Sequence, residues 1–326
     1  MILTNRYFST FISGFEPVIG DLLKKRIDRV KIDLLLDGLI VYSTDSPMEK
    51  IKRIKFFTNS FLLIRYFSKS KRISIEKTMR LVLKNRLKLT QQLPSNIRTF
   101  RIVTSKENKS VSVKPKLMTD SEKQVSRGFG LMPNRSKPQI QFWFLTRREG
   151  YGFFGARLTQ HPDYAKVLKK GELRPELTNI LCLLSEPTRH DIFLDPFAGS
   201  GAITRTRTDF PFNQIYAGDI NPRSKIVRKM DATKLSHFEN ESVDKIVTDP
   251  PWGFFGKKID LAGLYTKTLN SFYRVLKKGG KLVILVGDRS FFEKLLKRFG
   301  NKFKLERKLY ILVSGKKAGV YVIVKV

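Results

Sequence analysis

The chain has few of the residues from which cross-links and metal sites are built. Its 326 residues include one cysteine, Cys182, and three histidines, which are far apart at His161, His190 and His237. One cysteine excludes an intrachain disulfide, and the histidines have no metal-ligand spacing, so we predict no bound metal. The same scarcity favours a reducing, cytoplasmic location. Cys182 lies in the apolar run 180–184, which predicts a core residue rather than a nucleophile.

Long hydrophobic runs are also missing. No window reaches the roughly 18 uncharged apolar residues that a membrane-spanning helix needs, so we expect no contact with a membrane. The first twenty residues lack a basic start followed by a clean apolar segment, and we therefore expect no signal peptide. The chain is 41% hydrophobic and 28% charged, which is the composition of a globular protein.

Acidic residues are scarce beside basic ones. There are 29 Asp and Glu against 63 Lys and Arg, which gives a formal net charge of +34. The net charge is +20 over residues 1–160 and +14 over the remainder, so no single tail accounts for it. Such a field attracts polyanions and favours a nucleic acid as the partner. The alternative is a basic surface that serves solubility alone.

The second half of the chain alternates apolar strand-like runs with helical segments, which predicts a parallel α/β sheet. The runs cover 191–195, 214–219, 245–249 and 281–286, and the first three end in an aspartate. Ligands bind at the carboxyl ends of such strands. The chain closes with a predicted antiparallel hairpin from 303 to 326. The fold class is therefore α/β, with a Rossmann-like sheet that ends in a hairpin.

The first half has a mixed α+β pattern. Helical spacing covers 15–23 and 74–89, and the pattern over 33–42 predicts a strand, a turn and a strand. Two further strand-like runs cover 99–103 and 140–145.

The first motif of chemical interest is D-P-F-A-G-S-G at residues 195–201, between a predicted strand and a predicted helix start. Its glycines let the backbone approach a ligand closely, and the start of the helix supplies free N–H groups. Asp219 ends the next strand, 24 residues after Asp195. A carboxylate at that position can accept both ribose hydroxyls of a nucleoside cofactor, although an ordinary turn aspartate would look the same.

The second motif, D-P-P-W-G at residues 249–253, again follows a predicted strand. Pro250 and Pro251 stiffen the loop and leave carbonyl acceptors next to the Asp249 carboxylate. A carboxylate and a carbonyl together can accept both hydrogens of an amino group, which exposes the nitrogen lone pair to an electrophile. Trp252 offers a ring on which a base can stack. The alternative is a surface turn with a core tryptophan.

These motifs resemble the first and fourth motifs of class I S-adenosylmethionine-dependent amino-methyltransferases. The chain resembles more closely the RNA-methylase family that carries an N-terminal THUMP domain. That resemblance also rests on L-R-P-E-L at 173–177, on the opening segment 7–16 and on residues 142–158. It is specific over about 170–290 and loose over 1–158.

The resemblance implies a three-part organisation. Residues 1–70 would form a ferredoxin-like module, 71–158 a THUMP-like RNA-binding domain, and 159–326 the methyltransferase domain. The implied cofactor is S-adenosylmethionine. The family pattern assigns its methionine part to Asp195, Phe197, Gly199 and Gly201, its ribose to Asp219, and its adenine to Asp231 and Ala232. The same pattern assigns the target base to the catalytic loop of Asp249, Pro250, Pro251 and Trp252.

Two features depart from the family pattern. Only about a dozen residues separate Asp219 from Asp231, which is short for a crossover helix between parallel strands. Either this helix shrinks to Pro222–Lys225, or Asp231 is not the adenine contact. The family often has tyrosine where this chain has Trp252, and both side chains can stack on a base.

The leading hypothesis is methylation of guanine N2 in RNA, with tRNA favoured and rRNA as another candidate. One alternative is a DNA adenine or cytosine amino-methyltransferase, but the extra residues precede the catalytic region, where a THUMP-like domain fits better. A protein-glutamine methyltransferase does not need a charge of +34. The remaining alternative is a non-catalytic RNA-binding assembly factor that keeps the methyltransferase fold. The oligomeric state does not follow from the sequence.

Overall fold

The computed structural model describes residues 5–68, 73–84, 93–94, 96–107, 109–159, 168, 171–253 and 260–326. The chain divides into two compact units. The first comprises Met1–Thr10 and Leu23–His161, and the second comprises Phe11–Leu22 and Pro162–Val326.

The first unit contains a mixed sheet. Nine strands are present in the described residues: β1 Asn5–Thr10, β2 Lys31–Leu36, β3 Leu39–Thr44, β4 Asn59–Phe67, β5 Thr99–Lys106, β6 Lys109–Ser110, β7 Met132–Pro133, β8 Ile140–Thr146 and β9 Gly152–Arg157. Their order is β2-β3-β1-β4-β9-β8-β5-β6, with β7 also paired to β5. The predicted strand-turn-strand is the β2–β3 hairpin, which turns at Gly38 with φ +83°.

Four helices lie between β1 and β9 in the described part of the chain: α1 Glu16–Lys24, α2 Met48–Lys52, α3 Ile75–Lys84 and α4 Pro115–Phe129. The α4 helix shows how local sequence sets these bounds. Pro115 occupies its first turn, where the missing N–H costs nothing, and Gly130 ends it in the left-handed conformation with φ +67°. Its apolar side buries Leu117 and Val125. The predicted helix over 74–89 is present to Lys84, and its remainder lies outside the described residues.

One sheet runs through both predicted N-terminal parts. Strand β4, from the predicted ferredoxin-like module, pairs antiparallel with β9, from the predicted THUMP-like domain, between Phe61↔Arg157 and Phe67↔Gly152. The subdivision of this region at residue 70 stays a prediction.

The second unit confirms the α/β class and the terminal hairpin. Its strands are β10 Ile192–Asp195, β11 Gln214–Asp219, β12 Arg228–Lys229, β13 Val243–Thr248, β14 Leu276–Val286, β15 Phe303–Val313 and β16 Lys316–Lys325. Its further helices are α5 Pro175–Leu184, α6 Ala202–Arg207, α7 Leu261–Val275 and α8 Arg289–Lys297. The order is β12-β11-β10-β13-β14-β16-β15, with β12 to β14 parallel and the last two pairings antiparallel. The β15–β16 turn places Ser314 and Gly315 at φ +50° and +79°, as a type I′ hairpin turn requires.

The connection from β11 to β12 has no helix. Residues 220–227 form bends and one turn, in which the Val227 N–H donates to the Ser224 carbonyl (3.1 Å), and β12 then continues for only two residues. The short helix at Pro222–Lys225, one of the two alternatives, is therefore absent. Eight residues are fewer than the dozen or more that a helical crossover between parallel strands needs.

Strand order places three predicted functional segments along one edge. Because β10 lies between β11 and β13 and all three are parallel, their carboxyl ends meet there. Behind this edge the core is apolar, and Cys182 is fully buried in it as its neighbours predict. None of the described helices has the length and apolar character required to cross a bilayer.

Candidate active site

Asp195 is the most enclosed of the predicted site residues. It ends β10 with no exposed surface, and its Oδ1 accepts hydrogen bonds from Thr248 Oγ1 (2.9 Å) and from the Phe197 N–H (3.3 Å). Its Oδ2 is buried without a hydrogen-bond partner among the described residues. A buried, unpartnered carboxylate oxygen is costly, so this atom needs a ligand donor or a proton.

The glycine loop connects Asp195 to α6. Gly199 and Gly201 have φ +52° and +82°, a conformation that side chains with a Cβ rarely adopt. The loop folds back on itself through the Gly201 N–H, which donates to the Ala198 carbonyl (2.6 Å). A Cβ on Gly199 would stand 2.9 Å from Nη2 of Arg223. The backbone conformation therefore favours glycine at position 199, and the Arg223 guanidinium lies directly over it.

Asp219, at the end of β11, is tied to the same loop. Its Oδ2 accepts the Gly199 N–H (2.9 Å) and its Oδ1 accepts the Asn221 N–H (2.8 Å). The side chain is half-buried. An ionised carboxylate has about four acceptor sites, so two backbone bonds leave capacity for ligand hydroxyls.

The loop after β13 is held by one internal hydrogen bond and by contacts from outside it. Trp252 Nε1 donates to Asp249 Oδ1 (2.7 Å), and the hydroxyl of Tyr265 on α7 donates to the Pro251 carbonyl (3.1 Å). The Trp252 ring lies against Gly287, where an added Cβ would stand 2.8 Å from ring carbons. Trp252 is half-buried rather than interior. The indole is thus fixed in orientation while part of it stays accessible.

The electrostatics of this edge favour a positively charged ligand. Burial, helped by the negative charges of Asp249 and Asp219, raises the pKa of Asp195 to about 8 against the opposing hydrogen bonds from Thr248 and the Phe197 N–H. Burial likewise raises the pKa of Asp249 to about 7, and the Trp252 hydrogen bond opposes that rise. A cation placed here would restore the ionised forms of both carboxyl groups.

Asp231 and Ala232 follow β12. Asp231 Oδ1 accepts bonds from the Thr233 N–H (2.9 Å) and Oγ1 (2.7 Å), and the Thr233 side-chain bond lowers its pKa. Ala232 is buried, and its carbonyl accepts a bond from Ser271 Oγ (2.5 Å). Met230, the residue before Asp231, donates its N–H to the Asp219 carbonyl (2.9 Å). Asp231 and Ala232 therefore come directly after a residue that bonds to the end of β11, and their role toward adenine stays a prediction.

Four site residues did not emerge from the sequence: Thr248, Tyr265, Gly287 and Arg223. Two of them carry a positional signal, since Thr248 precedes Asp249 and Gly287 follows a predicted strand. Tyr265 and Arg223 carry none. The part of the chain that the structure describes has no group of three or more His, Cys, Asp or Glu residues that could hold a metal ion.

Comparison with known families places a methyltransferase domain in the second unit. Residues 220–313 match the family model described as "RMKL-like, methyltransferase domain". The mouse tRNA (guanine(6)-N(2))-methyltransferase THUMP3 is 29% identical over 180 residues, which are 46% of this chain and 36% of that protein. The bovine U6 snRNA (guanine-N(2))-methyltransferase THUMPD2 is 25% identical over 181 residues, or 50% of this chain and 35% of that protein. The matches thus span about a third of these curated relatives.

Solved structures show the fold over almost the whole chain. TrmN from Thermus thermophilus superposes with a TM-score of 0.73 at 22% identity and covers 98% of this chain and 99% of that one. SMU.472, solved in complex with S-adenosylhomocysteine, gives a TM-score of 0.66 at 16% identity and covers 99% of this chain and 98% of that one. The order of elements in both units is therefore that of a known architecture.

Proposed function

Because this chain belongs to the THUMP-containing, RMKL-like family of class I S-adenosylmethionine-dependent methyltransferases, we propose that it methylates an exocyclic amino group in RNA, most specifically guanine N2 of tRNA. The observation that carries the proposal is the loop after β13. There a carboxyl group buried enough to have a pKa near 7 lies beside two prolines and an oriented, half-exposed indole.

The residues at the sheet edge fit the cofactor. The buried, unpartnered Oδ2 of Asp195 lacks a donor, which the ammonium group of a methionine moiety provides. Gly199 and Gly201 give the close backbone approach, and Phe197 flanks them. Asp219 has acceptor capacity left for ribose hydroxyls. When bound, S-adenosylmethionine supplies an electrophilic methyl group on a sulfonium centre.

The chain's own residues would prepare the nucleophile. Trp252 Nε1 occupies Asp249 Oδ1, which leaves Oδ2 to accept one amino hydrogen. Tyr265 already occupies the Pro251 carbonyl, so the Pro250 carbonyl is the acceptor we assign to the second hydrogen. Both bonds draw the nitrogen lone pair out of ring conjugation. Asp249 can then take the proton, because its pKa of about 7 is close to a working pH.

RNA is the favoured substrate class on two grounds. The net charge of +34 suits a phosphate backbone, and both curated relatives are named as RNA guanine-N2 methyltransferases, one for tRNA and one for U6 snRNA. We place an rRNA target and a DNA amino-methyltransferase behind this assignment. A non-catalytic assembly factor ranks last, because such a protein has no use for a raised-pKa carboxyl group in the target loop. A cytoplasmic location stays a prediction.

Mass spectrometry of nucleosides tests the proposal. A strain that lacks the protein should lose N2-methylguanosine from its tRNA, and the purified protein with S-adenosylmethionine should restore it. Loss of a methylated base from DNA would favour the DNA alternative. Unchanged nucleosides together with no calorimetric binding of S-adenosylhomocysteine would favour the assembly factor.

Salt dependence of binding tests the partner separately. Lys123 and Arg127 are exposed on α4 of the first unit. Changing either to alanine should weaken binding to tRNA and reduce the slope of log K against log salt by about one, without changing the modified base. Thr119→Ala, exposed on the same helix, is the uncharged control. An unchanged slope in both charge variants would exclude this helix from the RNA surface.

A further inference from the structure

The short connection between β11 and β12 lies on the glycine loop. Within it the Arg223 N–H donates to the Gly199 carbonyl (3.2 Å), and Val227 is buried in a small apolar cluster with Ala198 and Ala217. Backbone and side-chain contacts therefore fix this connection, called here the crossover loop (residues 220–227), against residues 198 and 199.

The guanidinium group of Arg223 lies over the glycine loop, at Gly199. Its Nη2 is 2.9 Å from the point where a Cβ would stand on Gly199, and the side chain is exposed. Among the described residues it has no hydrogen bond or ion pair. Arg205, which lies against Gly201 in the same loop, does have a partner, since it pairs with Glu172. Arg223 thus brings an uncommitted cation to Gly199.

The charges around the loop complement one particular ligand. The three strand-end aspartates, Asp195, Asp219 and Asp249, suit a sulfonium and an ammonium group. The α-carboxylate of the same methionine moiety needs a cation instead. Carboxylate–guanidinium pairs are strong and can be bidentate. Arg223 and Arg205 both lie against the glycine loop, but Arg205 is paired with Glu172, so Arg223 is the cation that we assign to this carboxylate.

We propose that Arg223 binds the α-carboxylate of the methionine part of S-adenosylmethionine, and that the missing crossover helix is what brings it there. This inference rests on the proposed function, which puts the methionine part beside Gly199. It makes Arg223 a specificity-determining residue that distinguishes ligands with the amino acid part from those without it.

Calorimetry with two ligands tests the assignment. S-adenosylhomocysteine carries the amino acid part, whereas 5′-methylthioadenosine keeps the adenosine and the thioether sulfur but lacks that part. Arg223→Ala should weaken the affinity for S-adenosylhomocysteine about tenfold and leave the affinity for 5′-methylthioadenosine unchanged. The reason is that a hydrogen bond to a charged group is lost only with the first ligand. Arg223→Lys should show a smaller loss, because lysine keeps the charge without the planar fork. Arg228→Ala, an exposed arginine on β12, is the matched control.

The outcomes separate the two claims. Equal weakening of both ligands would assign Arg223 to the adenosine part or to loop structure, and would overturn the inference. Unchanged S-adenosylhomocysteine affinity in Arg223→Ala would also overturn it, while the proposed function would stand. If the unmodified protein binds neither ligand, the proposed function fails and this inference fails with it.

Discussion

The loops after β13 and β11 leave the same edge of one sheet, yet they are fixed by different means. The catalytic loop at 249–253 is stiffened by two prolines and held by Tyr265 and Gly287. The crossover loop at 220–227 lacks a helix and is held by the backbone of Gly199 and by one buried valine. Under the proposed function, side chains around a rigid loop would set the position of the target base, whereas cofactor binding would depend on a loop that packs against the backbone of Gly199.

The largest effect should come from the catalytic loop. Asp249→Ala removes the amino-group acceptor and should lower methyl transfer by at least about 10²–10³-fold, by analogy with the loss of one preorganised transition-state contact. RNA affinity should stay nearly unchanged, because it comes from the basic surface. Single-turnover kinetics and a filter-binding assay measure the two quantities. Glu239→Ala, an exposed carboxylate in the same unit, is the control. Near-normal turnover in Asp249→Ala would show that our catalytic assignment is wrong.

A second change tests whether the contact between Gly287 and the Trp252 ring matters as much as the catalytic loop itself. The Cβ in Gly287→Ala would stand 2.8 Å from the indole ring and displace it. A misplacement on this scale should reduce turnover by about 10–10²-fold. Calorimetric affinity for S-adenosylhomocysteine should not change. Gly300→Ala is matched, because the nearest atom to its Cβ would be 3.3 Å away. If Gly287→Ala is fully active, the ring is not held by this contact.

The pH profile tests the hydrogen bond within the catalytic loop. Asp249 must be ionised to accept amino hydrogens, so kcat/KM should fall as the pH drops below about 7. The Trp252 N–H stabilises the ionised form. Trp252→Phe removes that donor, so the pKa should rise and the acidic limb should move to higher pH. Trp143→Phe, which changes the chain's other tryptophan, should leave the profile in place. An acidic limb at the same pH in Trp252→Phe would contradict the role given to this bond.

The smallest effect is expected on the crossover loop. Ile226 is 50% exposed, and its Cδ1 would stand 2.9 Å from a Cβ on Gly201. Because half of its surface stays in water, Ile226→Ala should weaken the affinity for S-adenosylhomocysteine by no more than about fivefold. Isothermal titration measures this change, and Ile220→Ala, 53% exposed in the same loop, is the control. A loss of affinity as large as that in Arg223→Ala would mean that packing of the crossover loop, rather than charge, determines how tightly the cofactor binds.

Local patterns predicted most of the second unit. Strand β11 has the predicted bounds, and β10 and β13 differ from prediction by one or two residues at an end. Apolar runs bounded by turn residues suffice there because buried parallel strands read as continuous apolar segments. The fold of the first unit was harder to predict from the sequence, since the pairing of β4 with β9 joins residues almost a hundred positions apart. Two-residue strands such as β6 carry no periodicity at all.

The sequence by itself determined the two loop motifs, the aspartates at the ends of successive strands, the basic charge and the α/β class. Each of these depends on residue identity or on spacing within a few positions. Tertiary structure alone decided that burial raises the pKa of Asp249, that Gly287 and Tyr265 fix the catalytic loop, and that Arg223 lies over Gly199. Those features arise from contacts between segments that only strand order brings together, and strand order is not encoded in any short stretch of chain.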